Sequence, residues 1–446
     1  MSNHAYESAA ALRPSSNGPI PISTLCERFS LAPASAEDAA ALNDLSILGV
    51  SVDSADTAPG ELFVGLPGFT VHGARFAAQA VASGAVAVLT DADGAQIVHQ
   101  TAPGTPTLVH SDPRAVVGPL SAEVYHHPAR GLVTTAVTGT NGKTTTAYFL
   151  DAILSAHVGG CMVAGTVELR VGERSVESPR TTVEAPVLQR MMALAVEDKV
   201  GAASLEASSH AIVLHRLDGI VVDVAGFTNL QRDHLDFHKT MEGYLEAKAQ
   251  LFTPEHARRG VVCVDDQWGA TLAAEAPIEI DRVRAYPGDT PADWWVSDAA
   301  VSLTDSATTF TLHGPDGEKI EASCPLPGLV NVQNAALALV MAIRAGVPAA
   351  TALAGAHNIP GRMQRISQRD GRRGLCIVDF AHTPDAMELA LKAVRPITPG
   401  RLIVVFGSDG DRDQGKRPML GEVCARLADV LVVTDENPRS EDPQLI

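Results

Sequence analysis

A chain of 446 residues, 46% of them hydrophobic and 19% charged, has apolar mass for roughly two to four cores, which excludes a disordered or fibrous protein. Its formal net charge of −18 excludes non-specific attachment to nucleic acid or anionic lipid, since so acidic a surface repels polyanions. The six cysteines (Cys26, Cys161, Cys263, Cys324, Cys376 and Cys424) contain no CxxC pair, so buried free thiols are expected rather than a disulfide frame or zinc site.

Residues 1–22 are polar and rich in Pro and Ser, with neither a basic start nor an apolar run. They are expected to form a disordered lead-in, not a signal peptide. Residues 23–128 carry short apolar strands at 61–64 and 85–89 with an Ala-rich helix at 74–82 between them, and 125–128 reads as a linker. Residues 129–358 alternate short apolar runs (131–137, 202–206, 221–227 and 260–264) with helical stretches, including 331–345. That alternation is the mark of a mostly parallel sheet covered by helices. Residues 359–446 repeat it in Rossmann-like form, with strands at 375–380, 402–406 and 430–434. The sequence stops soon after the last of these, so this third domain is expected to be incomplete. The fold class is α/β in three domains: a small α/β domain, a central P-loop domain and a Rossmann-like C-terminal domain. No run of about 18 apolar residues occurs, so no membrane span is expected.

The 131–137 strand runs into Gly139, Thr140, Asn141, Gly142, Lys143, Thr144 and Thr145, and a helical stretch follows. Glycines let backbone N–H groups turn toward phosphate oxygens, and the helix start adds a favourable dipole. Lys143 is expected to reach the β- and γ-phosphates of ATP, and the Thr144 hydroxyl to ligate Mg²⁺. The strict pattern wants Gly where Val137 stands. A Gly-rich turn with a chance lysine is the plain alternative.

Three further motifs follow the loop: Glu206-Ala-Ser-Ser-His210, the stretch from Phe227 to His238, and Tyr244-Leu-Glu-Ala-Lys248. With the variant P-loop they resemble the Mur ligase family, which includes folylpolyglutamate and cyanophycin synthetases. The resemblance covers residues 45–446. It implies metal ligation by Thr144, Glu206, His234 and Lys248, the lysine as a carbamate. Carbamylation turns an ammonium into a carboxylate-like anion that suits Mg²⁺. It also implies ATP contacts from Asn334, Arg362 and Asp379. Taken singly, His234 could be a turn histidine, Lys248 a solvated helix residue and Asp379 a strand-end cap.

The resemblance extends to substrates. Ser54, His72 and Gly73, with Arg180, Thr181, Thr182, Ser208 and Arg216, match positions that hold UDP-N-acetylmuramoyl-L-alanyl-D-glutamate. Ala55 stands where the family commonly has Arg. Arg412, Asn437, Pro438 and Arg439 match positions that bind 2,6-diaminopimelate, whose distal carboxylate suits a planar guanidinium. The implied activity is an ADP-forming, ATP-dependent acid–amino-acid ligase of peptidoglycan precursor synthesis. It adds meso-2,6-diaminopimelate through an acyl phosphate. Small-molecule partners, no nucleic acid or membrane partner, a monomeric state and a cytoplasmic location are expected. A folate or cyanophycin ligase and a non-catalytic nucleotide-binding relative are the alternatives, the second because a segment completing the amino-acid pocket is not present.

Overall fold

The computed structural model describes residues 11–302, 307–348, 353–356, 359–367 and 374–446. The first region is built on four parallel strands, Gly49–Ser51, Glu61–Val64, Ala87–Thr90 and Thr107–Val109, with Ala32–Pro33 antiparallel at the edge. Glu61–Val64 and Ala87–Thr90 are buried along their whole length. Strands covered on both faces need no polar alternation. The helical stretch expected at 74–82 forms as a 3₁₀ turn, Gly73–Phe76, followed by the helix Ala77–Ala82.

The lead-in expectation fails for residues 11–22. Leu12 is fully buried, and Ile20–Pro21 pairs with Ser46–Ile47. Arg13 forms ion pairs with Glu61 and, at 3.2 Å, with Asp56. Asp56 also holds the buried Arg190 guanidinium at 2.9 Å. A polar composition hides such a segment, because Leu12, Ile20 and Ile22 are scattered among Pro, Ser, Asn and Gly and form no run. Residues 1–10 lie outside the described residues.

The central region carries an eleven-stranded sheet. Its parallel heart runs Cys161–Ala164, Ala202–Glu206, Val133–Thr138, Val222–Phe227, Ala257–Cys263, Glu279–Arg284, Trp294–Val301. Antiparallel strands, absent from the sequence reading, extend both edges: Glu168–Val171 with Arg174–Glu177, and Thr308–His313 with Lys319–Cys324. One face packs on the helices Lys143–Val158 and Leu329–Arg344, the other on Ala185–Glu197. Register sets Glu206 beside Val137 and Phe227 beside Thr138. Three chain segments therefore leave the sheet at the same strand ends, where open α/β sheets place their ligands.

The third region departs from a single Rossmann sheet. Ile403–Phe406 and Val430–Val433 pair in parallel, but Cys376–Val378 pairs antiparallel with Gln364–Ser367 instead. Ala390, Ala393, Val394 and Ile397 bury against the core that holds Leu329–Arg344. All six cysteines are free. Four are buried as expected, but Cys26 is partly accessible and Cys376 is exposed on its short strand.

The seam between the first and central regions is tight at Gly118, in the helix Pro113–Val124. A Cβ there would collide with the Asp218 carbonyl oxygen, which is backbone and cannot rotate away. Gly118→Ala is expected to destabilise the chain by about 2 kcal/mol through overpacking. The denaturant midpoint of unfolding checks this.

Candidate active site

The loop after Val133–Thr138 turns through two glycines in left-handed conformations, Gly139 (φ +141°) and Gly142 (φ +91°). Each also lacks room for a side chain: a Cβ on Gly139 would strike Thr228 Oγ1, and one on Gly142 would strike Asn334 Oδ1. The helix Lys143–Val158 then starts with no side-chain cap, which leaves its first N–H groups for an anion.

The loop is braced from the neighbouring strand. Thr228 Oγ1 and Asn229 Nδ2 donate to the Asn141 carbonyl at 2.6 and 3.0 Å, and Asn141 Nδ2 donates to Gln231 Oε1 at 2.6 Å. These bracing residues escaped the sequence reading. They lie in the 227–238 motif, which gave no sign that the two strands are neighbours.

Lys143 Nζ donates to the carbonyls of Gly139 and Thr140 at 3.0 and 2.9 Å. Burial lowers its pKa, and nearby Glu206 partly opposes this. Lys248, fully buried, donates to the same Gly139 carbonyl at 2.8 Å and sits 4.4 Å over the Tyr244 ring. Burial, reinforced by the Lys143 charge, drives the Lys248 amine well below the usual lysine range. So Lys248 is not the solvated helix residue that its composition allowed.

Glu206 faces the loop from the end of its strand. Its carboxylate accepts from Thr144 Oγ1 at 3.0 Å, and from Thr166 Oγ1 and N at 3.1 and 2.8 Å. A hydroxyl and a carboxylate side by side form a hard oxygen pair that fits Mg²⁺. His234, left-handed at φ +53°, lies with its ring 4.9 Å from His210 and 6.2 Å from Tyr244. Burial lowers its pKa and Asp233 opposes the shift. Among the described residues no group of three or more His, Cys, Asp and Glu side chains gathers closely enough to hold a metal. The expected set contains only two of those residue types, so it depends on Lys248 as an anion.

Two segments from further along the chain reach the loop. Asn334, on Leu329–Arg344, is buried, and its Oδ1 has no hydrogen-bond partner among the described residues. Arg362 donates to Thr144 Oγ1 at 3.0 Å and stacks 5.0 Å from the Phe380 ring. Asp379 accepts from the Met363 and Ala381 N–H groups at 2.8 and 2.9 Å. It therefore fixes the turn that aims Arg362, which is the strand-end cap left open by the sequence. Burial raises its pKa against those hydrogen bonds.

Nearby, Thr182 Oγ1 donates to the Glu206 carbonyl at 2.7 Å and accepts from Ser208 N at 3.0 Å. Thr181 Oγ1 lies 3.1 Å from Thr166 Oγ1, and Arg216 donates to the Thr182 carbonyl at 3.1 Å. The structure thus joins the expected central-region contacts to Glu206. In the first region, Ser54 Oγ donates to Gln79 Oε1 at 3.0 Å. His72 is held through both ring nitrogens, accepting from Ala74 N and meeting Asp91, each at 3.1 Å. Gly73 is required by packing, since a Cβ would lie 2.8 Å from the Leu66 carbonyl oxygen.

In the third region a cavity of about 690 Å³ is lined by Arg412 together with Asp411, Gln414, Arg417, Glu441, Asp442 and Leu445. The loop bearing Asn437, Pro438 and Arg439 joins it where Gly410 N donates to the Asn437 carbonyl at 2.8 Å. Arg439 pairs with Asp409 at 3.3 Å, while Glu441 belongs to Arg417 at 2.9 Å.

Comparison with known proteins gives matches along nearly the whole chain. The family model for the Mur ligase middle domain matches residues 137–342, the Mur ligase glutamate ligase domain 361–446, and the Mur ligase family catalytic domain 46–123. A UDP-N-acetylmuramoyl-L-alanyl-D-glutamate–2,6-diaminopimelate ligase of Streptomyces avermitilis is 46% identical over 406 residues, 90% of this chain and 79% of that one. A UDP-N-acetylmuramyl-tripeptide synthetase of Leifsonia xyli is 42% identical over 445 residues, 98% of this chain and 84% of that one. A solved structure of a UDP-N-acetylmuramoyl-L-alanyl-D-glutamate–2,6-diaminopimelate ligase superposes with a TM-score of 0.65 at 32% identity, covering 91% of this chain and 82% of that one.

Proposed function

The chain belongs to the Mur ligase family, and on that footing we propose how its site works as an ATP-dependent acid–amino-acid ligase. It adds 2,6-diaminopimelate to UDP-N-acetylmuramoyl-L-alanyl-D-glutamate in peptidoglycan precursor synthesis, with ATP and Mg²⁺.

The D-glutamyl side-chain carboxylate attacks the γ-phosphorus of ATP. The bond to ADP breaks and an acyl phosphate forms. The diaminopimelate amine then attacks the acyl carbon, phosphate leaves with its bonding pair, and the amine loses a proton. Anion approaches anion in the first step, so electrostatics and positioning carry the catalysis. Lys143 leaves the Gly139 and Thr140 carbonyls for the phosphates. Thr144, Glu206, His234 and Lys248 as a carbamate would hold Mg²⁺, which when bound would neutralise the meeting charges. Asn334 turns its unpaired oxygen to the nucleotide, and Arg362 adds a cation that Asp379 aims.

Ser54, His72, Gly73, Thr181, Thr182, Ser208 and Arg216 hold the peptidyl nucleotide, and Arg412, Asn437, Pro438 and Arg439 hold diaminopimelate. The domains divide near 128 and 358, with residues 11–22 packed into the body of the protein. Small molecules are the substrates. Among the described residues no helix is long and apolar enough to cross a membrane. A cytoplasmic monomer without nucleic-acid partners fits the acidic surface.

The observation that carries this assignment of roles is Arg362 on Thr144 Oγ1 at 3.0 Å, which brings the third region onto the nucleotide loop. Phosphate release is measured with UDP-muramoyl-dipeptide and ATP plus diaminopimelate, lysine or nothing. Release with diaminopimelate is expected to exceed that with lysine by about a hundredfold, since Arg412 and Arg439 would pair the distal carboxylate that lysine lacks. Release with lysine alone would sink the assignment of Arg412 and Arg439. ATP binding without release under any addition would favour the non-catalytic reading.

A further inference from the structure

Three arginines converge on one carboxylate at the seam between the first and central regions. Glu184 Oε1 lies 2.9 Å from Arg216 Nε and 3.2 Å from Arg180 Nη1, and its Oε2 lies 3.4 Å from Arg114 Nη1. Arg114 comes from the first turn of Pro113–Val124 and also donates to the Leu214 carbonyl at 3.3 Å. Three guanidiniums against one carboxylate leave an excess of two positive charges there, in a chain whose net charge is −18. Like charges held this close repel, and a half-buried position screens them poorly. Burial and the neighbouring Arg180 and Arg114 charges lower the pKa of Arg216, while Glu184 opposes the shift.

Glu184 occupies the N-cap position of the thirteen-residue helix Ala185–Glu197, yet its side chain makes no cap hydrogen bond. It is turned to the arginines instead. The positive end of that helix adds to the same field. Arg216 touches the Thr182 carbonyl, and Thr182 touches Glu206, so the cluster adjoins the acyl-phosphate site.

We propose that Arg114 and Arg180 join Arg216 in a cradle for an oxyanion of the peptidyl nucleotide, and that Glu184 fills the cradle until that group displaces it. The oxyanion is a peptide carboxylate or the diphosphate, two sources of one chemistry. The inference rests on the function proposed above. It adds Arg114 as a binding residue beside Arg180 and makes Glu184 a built-in competitor.

Calorimetry of wild type, Arg114→Met, Arg180→Met and Glu184→Gln tests it with three ligands: UDP-muramoyl-dipeptide, UDP-N-acetylglucosamine (a diphosphate with neither peptide nor carboxylate), and muramoyl-dipeptide without nucleotide. Each arginine variant is expected to bind UDP-muramoyl-dipeptide about tenfold more weakly, the scale of one charge-assisted contact. Glu184→Gln is expected to bind it several-fold more tightly. ATP affinity should stay unchanged in all of them. A penalty that persists without the peptide assigns the cradle to the diphosphate. One that persists only without the nucleotide assigns it to a carboxylate. Arg180 is half exposed, so its variant remains informative if Arg114→Met unfolds. Arginine variants that bind like wild type overturn the proposal, as does weakened binding by Glu184→Gln. A wild-type chain that binds none of the three ligands overturns the functional reading itself.

Discussion

Lys248→Ala is expected to cut diaminopimelate-dependent phosphate release about a thousandfold or more, with partial recovery in added acetate or propionate. The amine lies fully buried with Lys143 nearby, and its hydrogen bond is to a backbone carbonyl. A buried ammonium is costly, and a second cation beside it makes it costlier. Both effects favour the neutral amine, which is the form that adds carbon dioxide. As a carbamate it brings a negative charge to a loop that otherwise collects Lys143, Lys248 and Arg362 around Glu206. A short carboxylic acid diffusing into the space left by alanine supplies the same charge. Phosphate release against acid concentration reads the recovery. Turnover undiminished in Lys248→Ala would remove the carbamate from the account.

Lys143→Met is expected to lower kcat by about a thousandfold, because its charge is needed most as negative charge builds on the transferring phosphoryl group. The same change should leave the ligand-free fold intact or slightly more stable. It gives up two hydrogen bonds to loop carbonyls and relieves the repulsion that Lys143 exerts on Lys248. Steady-state kinetics and thermal unfolding of the same preparation test both halves. A rise in the KM for ATP, with kcat intact, would show that Lys143 contributes only uniform binding, equal in the ground and transition states.

What the residues disclosed by themselves follows from how local each signal is. The strand Ala202–Glu206 was legible because Ala202, Ala203 and Leu205 make a short apolar run that starts after Gly201. The P-loop was legible because its glycines and lysine are contiguous. The edge strands Glu168–Val171 and Arg174–Glu177 were not, since one face of each is solvated and their runs are short. The braces Thr228, Asn229 and Gln231 depend on the pairing of Val222–Phe227 with Val133–Thr138, a long-range fact. The meeting of Arg114 with Glu184 depends on packing between regions, which no spacing along the chain encodes. Cys376–Val378 looked like a Rossmann strand because an apolar triplet says nothing about its partner.

The Gly139 carbonyl accepts from both Lys143 and Lys248, so the two amines share one anchor. Nucleotide phosphates that draw Lys143 away change what Lys248 meets there. Thermodynamic linkage is reciprocal: by whatever factor ATP alters the equilibrium between free and carbamylated Lys248, carbon dioxide alters the affinity for ATP by that same factor. On the proposed carbamate, the nucleotide affinity of this chain is expected to depend on dissolved inorganic carbon, and ATP titrations in carbonate-free buffer and in air are expected to differ.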